Sequence, residues 1–435
     1  MKKYDTYKNS GIQWIGQVPE HWAILPMKHC ANLFTGNSIS DKDKENYSDA
    51  SDAYPYIATK DINAQTLLAN YENGMYTKKD DASFKIASKG STLLCIEGGS
   101  AGRKKTYLTE DVSFVNKLCC FTAKEAMSGK YLYYYINSNE FVEMFNNHIT
   151  GLIGGVSLSQ LVNFKAPLPP LAEQQAIANF LDKKTGEIDQ AIALFEQEKS
   201  DLQAYRKAII SETVTKGLNP NAKLKDSGIQ WIRQIPEEWS VRKCSRVFDT
   251  IGSGQTPKSD KPIYYSEAGY NWLQTGDLND SLISNTSKKI SEEAMQDYNL
   301  TQYPVESVVV AMYGATIGKI GYLQIETTTN QACCVLNSKS VMRNKYAYYV
   351  FLSAKTELIN MSNGGGQPNI SQSIIRNFII PLPPLSEQEA IVAFLDKKTS
   401  DIDTAIERIN AQIAELQAYR TALISEAVTG KINVR

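Results

Sequence analysis

The chain has 435 residues, 42% of them hydrophobic, and 46 Lys and Arg stand against 47 Asp and Glu for a net charge of −1. Length and apolar content suit two to four cored domains, and the balanced charge gives no hint of nucleic acid. No run of about 18 apolar residues is present, so no helical membrane span is expected.

The N-terminal stretch Met1–Gly11 lacks an apolar segment after its lysines and does not read as a secretory leader. A cytoplasmic location is therefore expected. Seven cysteines (Cys30, Cys95, Cys119, Cys120, Cys244, Cys333 and Cys334) show no C-x-x-C spacing, and buried free thiols in a reducing compartment are expected.

In chain order, the sequence divides into 1–166, 167–217, 218–380 and 381–435, and the second pair repeats the first. Ser10–Trp14 and Ser227–Trp231 both read SGIQW. The first segment mixes a β-rich run, Ser91–Ile96 (STLLCI), with a helical patch, Lys130–Phe145, and reads as a globular α+β domain. The third segment answers with Ser307–Met312 (SVVVAM) and Lys345–Ile359. Both helical patches open alike, KYLYY at Lys130–Tyr134 and KYAYY at Lys345–Tyr349.

The second and fourth segments are long helices. Each follows a proline stop (PLPPLAEQ at Pro167–Gln174, PLPPLSEQ at Pro381–Gln388) and ends at a glycine, Gly217 or Gly430. Between those marks the only glycine is Gly186 and there is no proline. Apolar residues keep a seven-residue step: Leu181, Ile188, Phe195, Leu202 and Ile209 in the first, Leu395, Ile402, Ile409, Leu416 and Leu423 in the second. Ala191 and Tyr205, then Ala405 and Tyr419, accompany the stripe three residues on. The pattern predicts that the two helices pair as an antiparallel coiled coil under a pseudo-two-fold axis. The helices carry net −2 and −3, which leaves +4 on the rest of the chain, a weak basic bias. FLDKKT (Phe180–Thr185, Phe394–Thr399) and QAYR (Gln203–Arg206, Gln417–Arg420) are repeated as well.

The globular segments agree only at points. GGSAGR, with Gly98, Gly102 and Arg103, lines up with GATIGK, with Gly314, Gly318 and Lys319; Thr59, Asp61 and Asn116 line up with Thr275, Asp277 and Asn330. A shared scaffold with different surfaces suits the recognition of two different things.

These residues resemble the specificity subunit of type I restriction–modification systems over essentially the whole chain. The resemblance rests on the doubled PLPPLxEQ–x₅–FLDKKT, QAYRxAxISExVT and SGIQWIxQxPExW stretches and on the paired G-x-x-x-G-[RK] turns. It implies two target recognition domains, each reading half of an interrupted duplex DNA target, joined by spacer helices. It also implies docking of two modification (methyltransferase) subunits, which bring S-adenosylmethionine, and of a separate motor–nuclease restriction subunit. No cofactor is expected on this chain and no membrane partner.

A search for chemistry fits that implication. Gly314–Ile320 has the wrong glycine spacing for a phosphate-binding loop and no Ser or Thr after Lys319. The Pro-Pro pairs lie only in LPPL, without the aromatic that an adenine methyltransferase turn carries. His21, His29 and His148 are scattered, so no catalytic or metal site is expected. The chain reads as a binder. The alternatives are a coiled-coil protein scaffold without DNA, a stand-alone DNA methyltransferase or nuclease with fused recognition domains, and an inactive decoy subunit.

DNA affinity comes mainly from phosphate neutralisation and sequence from base edges. The candidate ligands are Lys60, Lys78, Lys79, Arg103, Lys104 and Lys105 in the first domain and Lys258, Lys288, Lys289 and Lys319 in the second. Gln255, in the polar loop Gly252–Pro257, is a candidate adenine reader. The glycines beside Arg103 and Lys319 serve either as an anion-binding nest or as a tight strand connection. Trp14, Trp22, Trp231 and Trp239 read as packing residues. Helices of about 40 residues span roughly 60 Å at 1.5 Å per residue, enough to separate half-sites that lie about 34–36 Å apart on one face of DNA. The phase of the repeat predicts that Met1–Ser10 lies close to Gly430–Arg435.

Overall fold

The computed structural model describes residues 2–151, 154–362 and 368–434. It contains two compact units, Met1–Glu196 with Asn410–Arg435, and Gln197–Ile409. The units cut across the four sequence segments. Each takes one globular domain, the first half of the helix that follows it, and the second half of the other helix.

The unbroken apolar runs explain how each unit is layered. Alternate side chains of a strand point to opposite faces, so a strand with both faces covered loses its polar alternation. In the first unit, Thr92–Cys95 is buried throughout. Leu94 enters one core with Cys119, Phe121, Tyr131 and Phe141, while Leu93 and Cys95 enter another with Ile57, Phe114 and Cys120. In the second unit Val308 and Val310 face one core and Val309 and Ala311 the other. The cysteine doublets sit on the adjacent strands Leu118–Ala123 and Cys333–Asn337 and split between the faces in the same way. All seven cysteines are free and buried. Burial pushes the thiols up, Cys30 and Cys120 to about 11.

A sheet near the helices runs in the order Ala31–Thr35, Leu118–Ala123, Thr92–Cys95, Lys105–Tyr107, all antiparallel. The distal sheet of the first unit runs Tyr76–Lys78, Ala53–Ile57, Val112–Phe114, Ile86–Ala87, with a parallel pair at its centre. The second unit repeats both sheets with one exchange. Its near sheet gains Ser281–Ile283, parallel to Ile320–Leu323, and its distal sheet keeps three strands, Lys288–Ile290, Tyr265–Leu273 and Thr328–Thr329. The architecture is α+β in both units, as expected.

The long helices run Leu171–Lys216 and Leu385–Val428. Within each unit the two helical segments lie antiparallel. In the first, Asp189 meets Arg420 at 3.0 Å, and further along Glu173 holds Trp22, which packs under Gly430. In the second, Asp403 meets Arg206 at 3.2 Å, and Glu387 lies under Gly217. The expected stripe is inward: Leu181, Ile188, Leu395, Ile402, Ile409 and Leu423 are buried, and Phe195, Leu202, Ile209 and Leu416 are half-buried.

Its companions depart from expectation, because Tyr205 and Tyr419 are 51% and 49% exposed. An α-helix drifts about 20° per heptad against a strict seven-residue repeat. After the tyrosines burial has moved to Ile210 and Val214 in one helix and to Ile424, Ala427 and Val428 in the other.

The chain ends meet as predicted. Lys2 and Asn433 form an antiparallel bridge, with the Asn433 N–H donating to the Lys2 carbonyl at 2.8 Å. Among the described residues no helix is long and apolar enough to cross a membrane.

Candidate nucleic-acid interface

The repeated motifs bind one another and leave the interface to the residues that differ. The carboxylate of FLDKKT takes the KYxYY patch. Tyr134 donates to Asp182 Oδ1 at 2.6 Å and Lys130 pairs with the same oxygen at 2.9 Å, while Tyr349 and Lys345 reach Asp396 at 2.5 and 3.5 Å. Burial and the neighbouring carboxylate hold both phenols well above their usual range. The same lysines lie over the rings of Tyr107 (4.7 Å) and Tyr322 (4.6 Å).

The glutamate of PLPPLxEQ takes the PExW tryptophan. Trp22 Nε1–H donates to Glu173 at 3.3 Å and Trp239 Nε1–H to Glu387 at 2.8 Å. The glutamine beside it satisfies backbone groups of the strand–helix loop: Gln174 on Ser128 N–H and Ala126 O, Gln388 on Arg343 N–H and Val341 O. Tyr131 then donates to Val428 O at 2.9 Å and Tyr346 to Val214 O at 3.0 Å, which satisfies carbonyls at each helix C-terminus. The QAYR arginines make the Asp189 and Asp403 pairs. Sequence reading missed these partnerships, although the double occurrence of every partner was their signal.

The G-x-x-x-G-[RK] turns are strand connections. Gly102 N–H bonds Cys95 O and Gly318 N–H bonds Ala311 O. Both glycines have positive φ, and a Cβ would meet Phe145 at 2.9 Å or Ile359 at 2.7 Å. In each unit this turn stands beside the Thr-x-Asp turn: Lys104 Nζ donates to Thr59 O at 2.8 Å, and Lys319 Nζ to Asn279 Oδ1 at 3.2 Å. The aspartates of those turns cap their own backbone, Asp61 on Ala58 N–H and Asp277 on Gln274 N–H.

The candidate ligands separate into classes. Lys60 and Arg103 are exposed, and no ion pair is recorded for either among the described residues. Lys105 is a correction. It is 6% exposed, its ammonium donates to Ile136 O at 2.9 Å, and burial pushes it down to about 8. The alternation of the strand turns it into the core, out of reach of a phosphate. Lys78 and Lys79 are exposed but paired, with Asp49 at 2.6 Å and Asp52 at 3.1 Å. Lys258 and Lys288 are exposed and Lys289 is half-buried.

The Gly252–Pro257 loop, which carries the candidate adenine reader Gln255, is anchored at two points. Gly254 N–H donates to Thr329 Oγ1 at 3.0 Å, and a Cβ on Gly254 would overlap the Thr329 carbonyl oxygen. One N–H of the exposed Gln255 side-chain amide donates to Tyr298 O at 3.0 Å. The tryptophans pack as expected: Trp22 and Trp239 are buried, and Trp231 stacks on Phe378 at 5.5 Å.

A duplicated, internally bonded frame with two unlike outer surfaces defines a class of protein: a two-headed recognition module. The comparisons give its family. The model for the type I restriction modification DNA specificity domain matches twice, at residues 19–202 and 236–415, and the chain belongs to that family, whose role is recognition of a DNA target. It is 25% identical to the type I restriction enzyme MjaVIII specificity subunit of Methanocaldococcus jannaschii, covering 96% of this chain and 95% of that one. It is 21% identical to the EcoBI specificity subunit of Escherichia coli, covering 98% and 89%. Two solved structures share the fold. A chain from a study of assembly and conformational transition in the type I R-M system matches with a TM-score of 0.76, 18% identity and coverage of 95% and 99%. The HsdS subunit of Thermoanaerobacter tengcongensis matches with 0.53, 17% and coverage of 95% and 98%.

Proposed function

We propose that this chain is the target-reading subunit of a type I restriction–modification complex, with each globular domain reading one half of an interrupted duplex sequence. The observation that carries the reading is the division of labour along the chain. The repeated PLPPLxEQ, FLDKKT and KYxYY motifs hold helices to domains, while the surfaces that face outward differ between the repeats. Identical frames with different tips suit a bipartite, non-palindromic site.

The helical residues between the domains then set the gap between half-sites. Tyr205 and Tyr419, equivalent by repeat and one in each unit, offer the same exposed aromatic twice. That suits a partner present in two copies, the methyltransferase subunit, which supplies S-adenosylmethionine and the methyl-transfer chemistry. Motor–nuclease subunits join the same complex in the cytoplasm.

Inserting one heptad into each long helix tests the reading. It is expected to lengthen the methylated target's central gap and leave both half-site sequences unchanged, as read by methylome sequencing of cells carrying the variant with its methyltransferase. Changed half-sites with an unchanged gap would refute the division between tips and frame.

A further inference from the structure

The two distal sheets share three equivalent strands, yet their basic residues are treated differently. In the first unit, Tyr76–Lys78 runs antiparallel to Ala53–Ile57 and leads into two lysines that neighbouring acids neutralise. Lys78 Nζ meets Asp49 at 2.6 Å and Ser51 O at 2.7 Å, and Lys79 Nζ meets Asp52 at 3.1 Å. In the second unit the corresponding strand, Lys288–Ile290, pairs with Tyr265–Leu273, with Lys288 opposite Trp272 and Lys289 opposite Asn271. No ion pair is recorded for Lys288, Lys289 or the nearby Lys258 among the described residues.

Lys288 and Lys289 line a groove of about 700 Å³ with Ser259, Asn285, Ser287 and one carboxylate, Glu267. A β-bulge builds its wall. Tyr265 and Tyr270 both face Ile290, so the residues between them leave the ladder and place Ser266 and Glu267 along the groove. A Cβ on Gly269 would lie 2.0 Å from the Ile290 carbonyl oxygen, so only glycine closes this bulge.

Nearby acids are engaged elsewhere. Glu292 accepts from Tyr270 at 2.5 Å and Asp297 from Tyr264 at 2.8 Å. The facing loop is fixed, with Lys258 N–H on the Tyr298 hydroxyl at 3.0 Å and the Tyr265 hydroxyl on Pro257 O at 2.9 Å. A rigid, open groove with two lysines, several hydroxyl and amide donors and one acid matches a phosphodiester backbone.

We propose that this groove of the second unit holds the DNA backbone through Lys288 and Lys289. In consequence Lys288 and Lys289, and not Lys78 and Lys79, contribute to the salt dependence of DNA binding. The proposal rests on the DNA-reading function above and adds an electrostatic inequality between these two equivalent lysine pairs.

The test titrates the full-length chain against a fluorescein-labelled duplex of random sequence over a series of salt concentrations. Three variants are compared with the wild type: Lys288→Gln with Lys289→Gln, Lys78→Gln with Lys79→Gln, and Glu267→Gln. Each phosphate contact contributes a slope of roughly 0.9 in log K against log salt. The Lys288/Lys289 variant is expected to lose a slope of about 1 to 2 and to bind about tenfold more weakly at low salt. The Lys78/Lys79 variant should stay within about 0.5 of the wild-type slope, and Glu267→Gln should bind more tightly. Equal losses in the two lysine variants, or an unchanged slope in the Lys288/Lys289 variant while the wild type binds, would overturn the inequality. A wild-type chain that binds no DNA at any salt removes the DNA-reading function itself, and the groove proposal with it.

Discussion

Glu173 and Glu387 occupy the same place in the two repeats and do different amounts of structural work. Glu387 is half-buried and accepts from Trp239. Glu173 is fully buried and accepts from Trp22, from His21 at 3.0 Å and from the Tyr4 hydroxyl. The chain path explains the difference. In the second unit the helix ending at Lys216 continues covalently through Gly217 into the domain it packs against. In the first unit the equivalent junction is open, because Gly430 and Ser10, the counterparts of Gly217 and Ser227, do not follow one another along the chain. The Tyr4 and His21 bonds, with the Lys2–Asn433 bridge, do there by hydrogen bonding what the peptide bond does in the other unit. Duplicated sequence therefore does not imply duplicated energetics where topology breaks the repeat.

The largest expected effect breaks this comparison directly. Glu173→Ala leaves three donors without their acceptor in a buried site and is expected to cost about 3 kcal/mol, whereas Glu387→Ala should cost about 1 kcal/mol. Urea denaturation of the two variants, with midpoints and slopes compared, checks the order. Equal losses would mean that the open junction is not held by this cluster.

Lys105 gives a second asymmetry, smaller and sensitive to pH. Its neighbour across the ladder is Leu94, and the residue in that register in the second unit, opposite Val310, is Ile320. The first domain thus buries an ammonium where the second buries an alkyl chain. With its folded value at about 8, below the ordinary lysine value of about 10.4, the group weakens the fold while it is charged. Below pH 8 both states hold the proton and the full penalty applies, on the order of 3 kcal/mol. Between about 8 and 10.4 the folded state has shed the proton and the unfolded state has not, so the penalty fades as pH rises. Lys105→Ile is expected to stabilise by about 1–3 kcal/mol at pH 7, with the gain vanishing by about pH 10. A gain independent of pH in thermal melts would assign the effect to packing.

What could be read from the sequence follows the same division. The helices, their seven-residue stripe, the β-rich runs and the meeting of the termini were legible, because each is written locally or twice. Lys105 was not. Arg103, Lys104 and Lys105 look alike as a basic cluster, and only the strand register sends the third into the core while Lys104 reaches Thr59. Tyr205 and Tyr419 were misplaced for a related reason, since heptad counting carries no information on how far the helix face has turned by the fourth repeat. The anchoring of Gln255 depends on Thr329 and Tyr298, which lie more than forty residues away. The motif partnerships were legible in principle, since Asp182 with Tyr134 and Asp396 with Tyr349 recur together.

The smallest expected effect sharpens the comparison where the repeat does hold. Asp189–Arg420 and Asp403–Arg206 are the same two positions exchanged between helices, one pair in each unit. Their separations agree, at 3.0 and 3.2 Å, with arginine side chains 22% and 27% exposed and both aspartates 55% exposed, although Arg420 Nε hydrogen-bonds its aspartate and Arg206 Nε lies outside hydrogen-bond geometry. Each pair occupies the same two repeat positions, so a repeat that holds along the helices makes them equivalent. Half-exposed pairs of this kind contribute about 0.5 kcal/mol. Double-mutant cycles on Asp189/Arg420 and Asp403/Arg206 are expected to return coupling energies within about 0.3 kcal/mol of each other. A coupling larger by about 1 kcal/mol in one unit would show that the open junction is felt along the helices as well as at Glu173. The asymmetry would then belong to the whole frame of the first unit instead of to its clasp.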